Sequence, residues 1–265
     1  MTTFSARVPA GRYRFRHAAR MEWIKLRSLR STWWTLVVAA VGAVGIAVTV
    51  GLNTENAAGD LTNNALAGII PSLLLTGVLG VVFMTSEYSS GMIRATLAAI
   101  PRRPVLLAAK AAVLAVLALT LGEAAAFIAF FAGGATLPAG IAAPALGQPG
   151  VLRAVLLSGT SFCLIGLLGL GLGAIIRHTA AAVAVLVGGV YLAPSILGFA
   201  THHIAAYTPI LIIGNSLSTT KPVLCGAAAA QCPHFLPPLA GLGVLCLYAA
   251  AALGAGWWLF ARRDA

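Results

Sequence analysis

The chain has 265 residues, of which 60% are apolar and only 9% charged, where a soluble domain carries about 25% charged residues. So few charges cannot cover a water-facing surface of this size, which excludes a soluble globular domain and points to a bilayer as solvent. The net charge of +11 would suit nucleic acid, but the basic residues lie at the ends of apolar runs, the pattern of membrane orientation and contact with anionic lipid; the bilayer is the expected partner and nucleic acid is not.

Lipid offers no partner for backbone N–H and C=O groups, so spans are helices or closed barrels. The apolar runs are too long and continuous for barrel strands. The expected fold is therefore an all-α integral membrane bundle. Residues 1–32 form a basic N-terminal segment ending in an interfacial helix over about 20–32. There Trp23, Leu26, Leu29 and Trp33 share a broad face, with Glu22 and Arg30 intruding on it. The first apolar run follows this long basic segment and exceeds a signal h-region, so it is read as a retained span.

A span needs about 20 apolar residues. On that basis 33–262 is expected to be a six-span domain, with spans near 33–52, 65–86, 105–131, 154–176, 180–200 and 235–261. The apolar stretch 204–217 is too short to cross and is read as a short external or re-entrant helix. This count places Lys and Arg residues overwhelmingly on one side, leaving only Arg153 and Lys221 on the other. The positive-inside rule then puts both termini in the cytoplasm of a multi-pass protein of the cell membrane. Trp33, Trp34, Trp257 and Trp258 fall at that same interface.

The connection between the second and third spans, residues 87–110, is about as polar as the chain becomes: EYSSGMIRATLAAIPRRPVLLAAK. A short helix is expected there, broken by Pro101 and Pro104. Gly91 permits a tight bend. Glu87 ends the second span at the water boundary, where it can meet a partner's cation or cap the next helix. Glu123 is the one acidic residue inside an expected span, either a substrate contact or protonation site, or a hydrogen bond to a neighbouring helix. Gly166, Gly169, Gly171 and Gly173 crowd the fourth span and suit close packing, within the subunit or at a dimer seam. Cys225 and Cys232 flank a small-residue loop where an oxidising space would permit a disulfide. Neither spacing nor a closed ligand set points to a metal. No G-x-x-x-x-G-K-[ST] stretch occurs, so no ATPase is expected in this chain.

The combination of E-x-x-x-G-x-I-R-x-T-L ending in P-x-R (Glu87 to Arg103, with Lys110 soon after) and the upstream E-x-x-K-L-R-S-x-R (Glu22 to Arg30) resembles the permease subunits of type-2 ABC exporters. The resemblance implies that Glu87, Tyr88, Gly91, Arg94, Thr96, Pro101 and Arg103 belong to a coupling helix docking on an ATPase. It implies that Glu22, Trp23, Lys25, Arg27 and Arg30 belong to the interfacial connecting helix. It also implies a separate P-loop ATPase subunit carrying the ATP and Mg, and a second permease chain, identical or different. The substrate is left open. Two alternatives stand beside this reading: a proton-coupled secondary transporter built on Glu123, and a non-transporting membrane or immunity protein. A rhomboid-type serine protease would need a G-x-S-G stretch that the chain lacks.

Overall fold

The computed structural model describes residues 15–55, 59–100, 102–192, 196, 206–219 and 236–262. Every regular element among them is helical. The expected sites at Pro101, Cys225 and Cys232 lie outside the described residues.

The N-terminal amphipathic helix α1 (Phe15–Ser28) starts and ends earlier than the sequence suggests, and Arg30, expected on it, instead opens the next helix. Helix α1 is separated from α2 (Arg30–Leu52) by a single extended residue, Leu29. Then follow a short α3 (Leu61–Ala65), α4 (Ile69–Ser89), α5 (Met92–Ala99), α6 (Arg103–Ala135) and α7 (Val151–Ile176). After these come α8 (Thr179–Leu186), continuing as a π-helical stretch Val187–Leu192, then α9 (Pro209–Leu217) and α10 (Pro238–Arg262). Five of these, α2, α4, α6, α7 and α10, are long and apolar enough to cross a membrane.

The expected fifth span at 180–200 is not one regular helix over its described part. Eight residues of α-helix pass into wider π turns at Gly188 and Gly189, where two missing side chains leave the backbone least restrained. Even so, this segment follows α4 closely. Thr179 Oγ1 donates to Thr85 Oγ1 (2.8 Å), and Tyr191 OH donates to the Ile70 carbonyl (3.2 Å). Thr85 and Ile70 stand about 22 Å apart along α4 at 1.5 Å per residue.

Helix α7 is the hub. Its Gly166, Gly169 and Gly173 lie against α4 at Gly80, Gly77 and Val81, and Gly171 lies against Ala252 of α10. A Cβ at Gly169 would collide with the Gly77 carbonyl. The glycine row therefore packs inside the subunit, which lets helix backbones touch and gain dispersion contacts that lipid does not supply. On α2 a similar row, Ala39, Ala43, Ala47 and Gly51, is buried, with Gly51 against Gly133 and Thr136 of α6.

The two ends of the bundle differ. At one end Arg177 stacks on the Tyr88 ring (5.1 Å) and Arg103 donates to the Phe260 carbonyl (3.3 Å). The C-terminal ends of α4, α7 and α10 and the start of α6 thus share this basic end. At the other end Asp60 caps α3 through Thr62 and Asn63 and accepts from the Thr219 backbone and hydroxyl. Arg153 donates there to the Ser218 carbonyl (2.7 Å).

Candidate functional site

The two sequence stretches that carry the resemblance meet at the basic end. On α1, Ala18, Glu22 and Leu26 recur every four residues and form the buried face, with Lys25 beside it. Glu22, which interrupts the apolar pattern in the sequence, is the point where α1 is anchored. Lys110 of α6 donates to Glu22 Oε2 (2.5 Å) and Glu87 Oε1 (2.8 Å). Lys25 donates to Glu22 Oε1 (3.1 Å), Glu87 Oε1 (2.8 Å) and Thr96 Oγ1 (3.2 Å). Two ammonium groups and two carboxylates thus alternate in one cluster joining α1, α4, α5 and α6. Glu22 is 0%, Lys110 1% and Glu87 3% exposed, so three of the four charges balance where water cannot screen them, with Lys25 partly exposed at the rim. Lys110 also lies over the Phe83 ring at 4.2 Å. Glu87 Oε2 is buried without a hydrogen-bond partner among the described residues.

Burial works against the Lys25 ammonium. The Glu87 hydrogen bond and the Glu22 and Glu87 charges outweigh it and hold its pKa above the ordinary lysine value.

This geometry corrects the sequence reading of Glu87. It is buried among its own chain's cations, not set at a water boundary, and it does not cap α5, whose N-cap is Gly91 with no side-chain bond. Pairing within the chain is what makes its burial tolerable. Gly91 takes φ of 70°, the left-handed turn that glycine makes at low cost, and turns the chain from α4 into α5. Ile100 closes α5 in an extended conformation, as the residue before Pro101 favours. Pro104 sits in the first turn of α6, where its missing N–H costs nothing.

Helix α5 lies on the bundle with Ile93 and Thr96 buried, while Met92, Arg94, Ala95 and Ala98 are exposed. Trp23, Arg27 and Arg30 are also exposed.

A scan against protein-family models and a search of curated proteins return no match.

The site's meaning therefore rests on its geometry. The remaining candidate, Glu123, is placed differently. It sits on α6 against Gly159 of α7, whose missing side chain makes its room. Thr160 Oγ1 donates mainly to the Leu156 carbonyl (2.8 Å) and shares that proton weakly with Glu123 Oε1 (3.4 Å), while Oε2 is buried without a partner among the described residues. The hydrogen bond to a neighbouring helix is thus present. A separate apolar groove of about 550 Å³ runs between α2 and α6, with Thr76 and Phe162 on its lining. Thr76 Oγ1 is buried and unbonded there, whereas Ser72, Thr85, Ser158 and Ser161 each donate to a carbonyl four residues back. Among the described residues no cluster of His, Cys, Asp or Glu suits a metal.

Sequence reading did not single out Asp60, although Asp at the position before α3 carried the N-cap signal. It also did not single out Gly77 and Gly80, whose spacing of three aligned them on the face that meets α7.

Proposed function

We propose that this chain is the membrane-spanning permease subunit of an ATP-driven exporter. It pairs with a second permease chain in the cell membrane, and a separate ATPase supplies ATP and Mg chemistry. The observation that carries the reading is the charge cluster itself. Residues of both resemblance motifs, Glu22 and Lys25 from one and Glu87, Thr96 and Lys110 from the other, converge on it beneath a short helix whose outer face is uncovered among the described residues. A thrust delivered to Met92, Arg94 and Ala95 on α5 passes through Thr96 and Lys25 to Glu87 and Lys110. From there it reaches α4, α6 and α1 as one unit, because separating any two of these helices would strip a buried charge of its counter-ion. Such a rigid linkage lets closure of an ATPase bias the bundle between two states.

The reading includes six crossings with both termini cytoplasmic. That α7 ends at the basic end and α10 begins at the opposite one supports a crossing between them. The α8 and π-helical segment alongside α4 supplies that crossing. The segregation of basic residues supports a cytoplasmic basic end.

The test is purification of the tagged chain from its native membranes in mild detergent, followed by mass spectrometry, with reconstitution of what co-purifies. A stoichiometric P-loop ATPase is expected. In that complex Arg94→Glu is expected to lower transport-coupled ATP hydrolysis at least tenfold while the chain stays monodisperse. Unchanged coupling in the variant would sink the α5 assignment.

A second reading is a proton-coupled transporter using Glu123, favoured by that carboxylate's unpartnered Oε2 within a span. Transport by the chain alone, driven by a proton gradient without nucleotide, would establish it instead.

A further inference from the structure

We infer that the cleft between α1 and α6 is a binding site for one anionic phospholipid. The cleft encloses about 400 Å³ and is lined by Phe15, Ala19, Trp23, Val113 and Val116, with Arg20 at its edge. Its shape follows from how α1 distributes its residues. Phe15, Ala19 and Trp23, four apart, form an apolar stripe beside the buried face. Arg16, Arg20 and Arg27 run along the outer flank of that stripe, all exposed.

Three features match a phospholipid and not a protein helix. The first is charge. Glu22 is the only acidic residue of α1, and Lys25 and Lys110 hold both its oxygens. Arg20 makes no ion pair or hydrogen bond among the described residues, so the flank presents uncompensated guanidinium groups that suit a phosphate's paired oxygens. The second is depth. Helix α6 is 33 residues long, about 50 Å at 1.5 Å per residue, against about 30 Å of hydrocarbon. Its first turns therefore stand among head groups. Val113 and Val116 lie about 15–20 Å along it, where acyl chains begin. The third is composition. The lining combines a cationic residue, Arg20, an amphipathic aromatic one, Trp23, and purely aliphatic ones, Val113 and Val116, the chemistries that a phospholipid's head, interface and tail would meet. Val116 is 62% exposed, so this cleft opens to the bilayer along its apolar side. The inference needs only the membrane setting and stands whether or not an ATPase partner exists.

The test uses the full chain, purified in detergent and exposed to an equimolar mixture of phosphatidylglycerol and phosphatidylcholine, with bound lipid counted by native mass spectrometry. One phosphatidylglycerol is expected to be retained at least tenfold over phosphatidylcholine. Arg20→Glu is expected to remove that preference, and Val116→Trp, which fills the cleft from its lipid side, to lower retention of both lipids. Arg262→Glu, at the same end but stacked on Trp258 (4.4 Å), is expected to change neither. Equal retention of the two lipids by the unaltered chain would overturn the inference. So would an equal loss in the Arg20 and Arg262 variants, since binding would then follow overall charge. Displacement of the lipid by inorganic phosphate alone would also overturn it, because the site would then be one for a free anion.

Discussion

Apart from the helix cap made by Asp60, two settings of acidic side chains in the molecule contrast. At the basic end, Glu22 and Glu87 share Lys25 and Lys110 at 2.5–3.1 Å. On the α6–α7 seam, Glu123 has one long hydrogen bond from Thr160 and an open second oxygen. The first arrangement is a charge-balanced set whose four ions belong to three helices, α1, α4 and α6, with Thr96 of α5 joined through Lys25. The second is a single group held by one hydroxyl. A carboxylate surrounded by its own chain's cations is fixed and serves to join elements. A carboxylate inside a span with no cation within ion-pair distance among the described residues is available to something that comes and goes. Proximity to water does not separate them, since the cluster at the end of the bundle is the better buried of the two.

The largest effect should come from breaking the cluster. Lys110→Ala leaves Glu22 and Glu87 facing each other with only Lys25 between them. The expected loss is about 3–5 kcal/mol, the usual result of stranding a buried charge, read as a lowered unfolding midpoint in detergent. Glu87→Ala should also destabilise the chain, by leaving two ammonium groups with one carboxylate. Loss of transport in that variant would therefore report on folding as well as on coupling, and Arg94→Glu is the cleaner probe of α5. If Lys110→Ala unfolds no more easily than the original chain, the cluster does not join the helices.

The hub offers the next test. Gly169→Leu places a branched side chain where the Gly77 backbone already lies. The cost of forcing α4 and α7 apart is expected to be about 1–3 kcal/mol, as for overpacked cores. Gly188→Leu, where nothing lies within 4 Å of an added Cβ, should have no comparable effect. Similar losses at both positions would mean that helix propensity and not close approach sets the role of these glycines.

Much of this was legible in the sequence. The long uncharged runs place α2, α4, α6, α7 and α10 to within a few residues, because lipid imposes both length and helicity. Gly91 and the flanking prolines mark α5 for the same local reasons that shape it. The partnerships were not legible. Glu22 and Lys110 lie 88 positions apart, and no local pattern says that the lone acid on α1 will meet the lysine on α6. Read along the chain, Glu22 spoils an amphipathic face; in the fold it is fully buried. The fifth expected span fails as a regular helix because Gly188 and Gly189 are apolar enough for a hydropathy reading but too unrestrained to keep α-helical turns.

Glu123→Gln sharpens the contrast. The amide oxygen can still accept from Thr160, so stability is expected to change by less than about 1 kcal/mol, well below the Lys110→Ala effect. Transport should change in its pH dependence or substrate range, measured in reconstituted vesicles. A loss of stability as large as that of Lys110→Ala would place Glu123 in the same category as the cluster, with a structural partner supplied by a second chain.

The smallest expected effect is a pH limb. Lys25 is the one partly exposed member of the cluster, its side chain 22% accessible, and its pKa in the fold is raised above the ordinary 10.5. A raised lysine pKa means that the folded chain holds the proton more tightly than the unfolded one. Its stabilisation is therefore fully present below pH 10.5 and fades as pH rises through the raised value. The unfolding midpoint should be flat with respect to this group at neutral pH and should fall in alkali. Lys25→Met should start lower, since Lys110 alone then serves two carboxylates, and should lack this part of the alkaline fall. Parallel alkaline limbs in the two proteins would assign the fall to other groups. Lys25 would then count as a solvent-screened ion at the rim, with Lys110 alone holding the two acids together.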